Sequence, residues 1–169
     1  MRDLSLRRAT EADAEALHAL VSAHLTEGHL LPRELDELRR HAARFVVCEQ
    51  HGEIKACAEM APLSPATGEV RSLVVAGHFR RNGVAARLLD ALRERAKASG
   101  LDTLCAFTHD ARFFVRQGFS IVPHLWVPEK IATDCVGCPL FRRCEQFAMI
   151  LPLYPAARYG ASPARAAVA

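Results

Sequence analysis

The segment Val74-Val75-Ala76-Gly77-His78-Phe79-Arg80-Arg81-Asn82-Gly83-Val84-Ala85-Ala86-Arg87-Leu88-Leu89 carries a β-branched strand through a basic loop into a long helix. From Gly83 to Ala98, Val84, Leu88, Leu89, Leu92 and Ala96 trace one helical face, while Arg87, Asp90, Arg93, Glu94 and Lys97 trace the other. Gly83 and the small Ala85 stand at the helix mouth, where the first backbone N–H groups have no intrahelical partner. The mouth therefore reads as an anion site. A plain strand-to-helix turn with solvated arginines is the alternative that spacing alone leaves open.

The rest of the chain alternates in the same manner. Leu4 to Ala9 reads as a short strand, and Thr10 with Asp13 three residues on reads as a helix start. That helix is expected to reach about His24, burying Ala14, Leu17, Leu20, Val21 and Leu25. A second helix is expected to open near Pro32 and to turn Leu35 and Leu38 inward. Phe45–Glu49, a turn at His51-Gly52, and Ile54–Met60 read as a hairpin, followed by a strand over Glu69–Val75. After the long helix, Gly100 is a stop, Thr103–Phe107 a buried strand, Asp110–Gln117 a short helix ended by Gly118, and Phe119–Val122 a strand. Gln146–Leu153 closes the sheet, so residues 1–153 form one domain and 154–169 an Ala-rich tail.

With half of the 169 residues hydrophobic and 24% charged, a disordered or collagen-like chain is excluded. No apolar run is long enough to cross a bilayer and the first residues lack a signal-peptide stretch, so a cytoplasmic protein with no membrane partner is expected. A net charge of +3 is too mild to announce a nucleic-acid partner. Of six cysteines, Cys48, Cys57 and Cys105 sit in apolar runs and read as core.

Two motifs in register carry a family resemblance. Arg80, Gly83 and Ala85 fit the Gln/Arg-x-x-Gly-x-Gly/Ala phosphate loop, and Phe113-Phe114 with Gly118-Phe119 fits the last helix and strand, of the GNAT N-acetyltransferase superfamily, which the chain resembles. A narrower likeness runs through Leu31-Pro32-Arg33, Leu35, Glu37-Leu38, Gly68–Val75, Phe107-Thr108, and the block from Pro128 through Lys130-Ile131, Asp134-Cys135, Cys138-Pro139 and Phe141 to Cys144. These segments are similar to the short, kinase-less N-acetylglutamate synthases. His109 stands where that group usually has tyrosine. The resemblance implies an α/β fold with a central mixed, mainly antiparallel, splayed sheet flanked by helices. It implies acetyl-CoA as co-substrate, with pyrophosphate on the amides of Arg81, Asn82, Gly83, Val84 and Ala85, and pantetheine along Leu73, Val74 and Val75, with Arg80 and Phe114 nearby. It also implies glutamate acetylation at the head of arginine biosynthesis, and a homodimer is the assembly considered. Another small amine or a protein amino terminus as acceptor, and a non-catalytic acetyl-CoA sensor, are the alternatives.

Acetyl transfer to an ammonium needs a base, an oxyanion donor and a proton for the thiolate. Glu69 and Glu59 are the candidate bases, and a backbone N–H near Val74 is the candidate oxyanion donor. The helix that resembles the family's last one carries Phe113-Phe114, and Tyr154 and Tyr159 lie at or beyond the core, so the proton comes from His109, the substrate ammonium or water. Cations for glutamate are Arg33, Arg71 and Lys130 within the resembling motifs, next to Thr108, whereas Arg39, Arg40, Arg93 and Arg95 read as solvated helix faces. Alternation places Glu69, Arg71 and Leu73 on one face of their strand. Cys135, Cys138 and Cys144 supply three soft ligands where Zn²⁺ wants four, which His124 or Glu145 would complete; free thiols packing the loop, or a Cys135–Cys138 disulfide, are the other readings.

Overall fold

The computed structural model describes residues 4–25 and 30–154, so the expected tail beyond Tyr154, including Tyr159, lies outside the described residues. The strands are β1 (Ser5–Arg8), β2 (Phe45–Gln50), β3 (Glu53–Pro62), β4 (Thr67–Val75), β5 (Thr103–Thr108), β6 (Ser120–Val122) and β7 (Phe147–Pro152). They form one sheet in the order β1-β2-β3-β4-β5-β7-β6. Only β4 and β5 pair in parallel. The last strand in sequence thus slots between β5 and β6, so the expected closing of the sheet happens inside it and not at its edge.

Helices α1 (Ala14–Ser22) and α2 (Leu35–His41) cover one face, and α3 (Val84–Ala98) and α4 (Ala111–Arg116) the other. Covered on both sides, β2 alternates its side chains between two cores: Phe45 and Val47 meet Leu17, Val21 and Leu38, whereas Val46 and Cys48 meet Leu88 and Leu92. The helix start at Thr10 forms as expected, with the Thr10 amide donating to Asp13 Oδ2 at 2.7 Å and the Asp13 amide to Thr10 O at 3.0 Å. The helix after Pro32 begins later than expected, at Leu35 behind an extended Glu34, and Pro32 lies ahead of it. His51 and Gly52 both take positive φ, 52° and 78°, the pair of left-handed residues that a two-residue hairpin turn requires.

Two of the expected solvated arginines are structural. Arg95 donates to Ala43 O at 2.9 Å and Arg44 O at 3.1 Å, and Arg93 donates to Gln117 O, so both tie α3 to neighbouring segments through backbone carbonyls. Among the described residues no helix is long and apolar enough to cross a membrane.

Leu88 is fully buried between α3 and the sheet. Leu88→Ala is expected to lower the unfolding free energy by about 2–5 kcal/mol in urea titration, because the sheet beneath cannot collapse into the space. Glu94→Ala on the solvent face should change it by less than about 0.5 kcal/mol.

Candidate active site

β4 pairs with β5 over Thr67–Val70 only, while its other edge stays on β3 as far as Val75. The two parallel strands separate beyond Val70 and Ala106, and a cleft of about 1140 Å³ opens between them. An irregularity helps β4 turn away: its register against β3 slips by one residue between Arg71 and Val74, with Ser72 at φ 47°. The slip also reassigns faces. Leu73 and Val75 pack with Val70 against the α3 side, whereas Glu69 and Arg71 face the cleft rim, so Leu73 does not share a face with Arg71 as strict alternation implies.

The ladder fixes which amides reach the cleft. The Ala76 amide donates to Lys55 O at 2.9 Å, and Val74 pairs with Cys57 in the same register. Antiparallel alternation therefore turns the Val74 N–H toward β3 and that of Val75 toward the cleft. Within the expected stretch near Val74 the Val75 amide is thus the one on the cleft side, and the Val74 side chain belongs to the core under α1. Arg80 reaches back to the same edge, its Nε donating to Val75 O at 3.0 Å.

At the mouth of α3, Gly83 has φ 74° and Arg81 φ 63°. The first helical bond runs from the Arg87 amide to Gly83 O at 3.1 Å, so the amides of Val84, Ala85 and Ala86 precede the ladder. A Cβ added at Gly83 would meet no protein atom within 4 Å, so it is the left-handed backbone that favours glycine there.

Two buried carboxylates organise the charged wall. Glu69, 3% exposed, accepts from Lys130 Nζ at 2.8 Å on Oε1 and from Arg71 Nε at 2.5 Å on Oε2. Asp134 Oδ2 accepts from Lys130 Nζ at 2.7 Å and from Arg71 Nη2, closing a four-member network. Burial works against the Arg71 charge, but Glu69 and Asp134 outweigh it and hold the guanidinium more firmly protonated than usual. Burial likewise opposes the Asp134 charge, and the Lys130 ammonium with Arg71 overcomes it, keeping that carboxyl below the ordinary range. Lys130 also stands 5.3 Å from the centre of the Phe107 ring.

Glu59, 1% exposed, accepts from Arg33 Nη1 at 2.8 Å, while Arg33 also donates to Glu37 Oε1 at 2.8 Å and Ser72 Oγ at 2.9 Å. Arg33 lines the cleft and Glu59 does not: the guanidinium lies over the carboxylate and pins the Ser72 bulge. Glu59, the second candidate base, thus lies beneath the wall and is paired with Arg33, while Glu69 lines the cleft. His109 is exposed and lies outside the cleft lining, and Thr108 lines it with its hydroxyl bonded to Asp110 O at 3.2 Å. Phe114 is buried at the cleft edge, and Tyr154 donates to Lys97 O at 3.4 Å away from it. Sequence reasoning missed Asp134 as a site residue. Its spacing of four from Lys130 was the available signal.

Cys135, Cys138 and Cys144 all line the cleft mouth, with Cys144 Sγ 3.9 Å from His124 Nε2. Among the described residues no three His, Cys, Asp or Glu side chains gather in a way that could hold a metal ion, so nothing in this arrangement supports the zinc site weighed from spacing.

The sequence model of the acetyltransferase (GNAT) family matches residues 9–119. An uncharacterized N-acetyltransferase of Chlorobaculum tepidum, CT2212, is 28% identical over 151 residues, which are 89% of this chain and 97% of that protein. The amino-acid acetyltransferase of Ectopseudomonas mendocina is 36% identical over 117 residues, 68% of this chain, and the match spans 27% of that relative's length. N-acetylglutamate synthase from Neisseria gonorrhoeae, complexed with coenzyme A and N-acetyl-glutamate, shares the fold at a TM-score of 0.81 and 23% identity, over 92% of this chain and 36% of that one.

The six thiols grade from buried, through half-buried Cys135, to exposed Cys138 and Cys144. Cys48, Cys57 and Cys105 are buried, and burial pushes the last two up to about 12. At pH 8 a colorimetric disulfide reagent is expected to titrate Cys135, Cys138 and Cys144 quickly and the other three only after denaturation. Six fast thiols would show that the sheet opens in solution.

Proposed function

We propose that this chain, which belongs to the acetyltransferase (GNAT) family and is an N-acetyltransferase, uses acetyl-CoA to acetylate the α-amine of L-glutamate. The observation that carries this reading is the pairing of Arg71 with Lys130 on the cleft wall, beside the β4 edge that β5 leaves open. Two cations within reach of one carboxylate suit an acidic amino acid better than a neutral amine. The likeness to curated amino-acid acetyltransferases supports the same class of acceptor. In that role the reaction would open arginine biosynthesis.

In this reading, the open edge of β4 at Leu73 and Val75 pairs with the amide-bearing pantetheine arm as a strand would. The pyrophosphate meets the amides from Arg81 to Ala85 and the charge of Arg80. Glu69, the buried carboxylate that lines the cleft, takes the ammonium proton through water. The freed nitrogen attacks the thioester carbonyl carbon, the C–N bond forms as the C–S bond breaks, and a cleft-facing amide of β4 holds the oxyanion. The nitrogen of the adduct then gives up its surplus proton, which passes through water to the departing thiolate, since no tyrosine among the described residues lines the cleft. Glu59 and Arg33 act by holding the bulge in place.

A thiol-release assay against the common amino acids tests the proposal, with glutamate expected as the preferred acceptor. Bound acetyl-CoA with no release across the panel would favour a sensor, and preference for a neutral amine would reject glutamate. Gly83→Asp should abolish acetyl-CoA binding in calorimetry, because it strains a left-handed position and sets a negative charge among the amides. Arg71→Ala should raise KM for glutamate about ten- to a hundredfold, the effect of losing a charged hydrogen bond, and barely move KM for acetyl-CoA. Equal damage toward an uncharged acceptor would reject Arg71 as a carboxylate clamp.

A further inference from the structure

Arg71 and Lys130 carry two carboxylate partners that differ in kind. Glu69 is fixed in β4 and 3% exposed, so it belongs permanently to the wall. The Asp134 side chain is 38% exposed and reaches the same two cations from a separate element. That element is a π-helical turn, Ile131–Cys135, closed by the Val136 amide donating to Ile131 O at 3.2 Å. Wide turns of this kind are rare and recur at functional sites. All four charged residues line the cleft. Two cations already balance two carboxylates, so an incoming carboxylate that merely added itself would leave a half-buried excess of negative charge. Exchange for Asp134 keeps the wall neutral.

We propose that Asp134 occupies the place of the acceptor's side-chain carboxylate in the substrate-free protein, and that acceptor binding is an exchange of one carboxylate for the other on Arg71 and Lys130. The inference rests on glutamate as acceptor and adds the residue that sets its selectivity. An acceptor with a carboxylate replaces what it displaces. A neutral acceptor leaves the cations holding Asp134 and the entrance occupied. Asp134 thus costs affinity and returns discrimination, as a built-in competitor does. The contrary role, in which Asp134 aligns the two cations for substrate, predicts the opposite sign on removing its charge.

The experiment compares the wild-type protein with Asp134→Asn and, as a second variant on the same exposed turn, Asp134→Ser, each checked for folding by circular dichroism and thermal melting. Two quantities are read: KM for glutamate, and the calorimetric Kd of glutarate, a dicarboxylate with no amine to acetylate. Exchange predicts that both fall about tenfold in the variants, the span of one charge-assisted hydrogen bond no longer contested. It also predicts that the ratio of kcat/KM for glutamate over glutamine shrinks. A rise or no change in both quantities, in either folded variant, would overturn the exchange. The two readings fail separately. Glutamate turnover by wild type with no tightening of glutarate removes the exchange alone, whereas tighter glutarate in the variants with no glutamate turnover keeps the exchange and removes glutamate as acceptor.

Discussion

β4 hydrogen-bonds to β5 only as far as Val70, and from there its outer edge runs beside a cleft instead of a strand. An open edge inside a sheet is normally a liability, because unpaired amides and carbonyls invite other strands. Here three features keep it from closing on β5. The slip at Ser72 twists the strand away, the Arg33 guanidinium holds Ser72 Oγ in that position, and Phe113 and Phe114 of α4 stand where the separating strands leave room. An extended ligand with its own amides fits such an edge, and the basic loop at the end of the same strand suits the ligand's phosphates. The splay therefore makes one strand serve both as wall and as guide.

Burying charge in this region demands partners. Removing one member of a buried ion pair typically costs about 3–5 kcal/mol, because the survivor is left without compensation. Glu59 on β3 and Glu69 on β4 are each matched by a cation that comes from outside the sheet: Arg33 from the segment before α2, and Lys130 from the turn after β6. The pairs thus fasten two irregular segments onto the splayed strands. Arg71, carried by β4 itself, links the Glu69 and Asp134 ends of the wall. Fold and site share these contacts, and a substitution among them acts on both.

Elements with a clear period were legible in the sequence. The apolar stripe of α3, the His51-Gly52 hairpin and the glycine at the mouth of α3 all stand where spacing and turn chemistry put them. The cations expected for an acidic substrate do gather at one cleft, although Arg33 arrives already engaged by Glu37 and Glu59. The bulge at Ser72 was invisible because one extra residue leaves no mark in a run of β-branched and small residues, yet it moved Leu73 to the other face and Val74 away from the open edge. The late start of α2 was hidden by Pro32, whose preference for a first helical turn also suits an extended lead-in. The cysteine spacing resembled a metal framework, but ligand geometry is a property of three dimensions that spacing does not carry.

β6 and β7 are antiparallel neighbours, and such strands need only two to five residues between them. This chain instead leaves the sheet over residues 123–146 before returning. A short hairpin there would complete the same sheet but bring no cation to Glu69, leaving a buried carboxylate with Arg71 alone. The excursion supplies Lys130, with Asp134 one turn beyond it, and seats both against β4 from across the cleft. It also bears exposed Leu125, Trp126, Val136, Leu140 and Phe141, apolar side chains that a purely structural connection would bury or replace. Glu69 and Arg71 sit on β4 and Lys130 and Asp134 on the excursion, so the charge of the cleft wall is shared between sheet and loop, and a ligand that takes hold of Arg71 and Lys130 touches both at once.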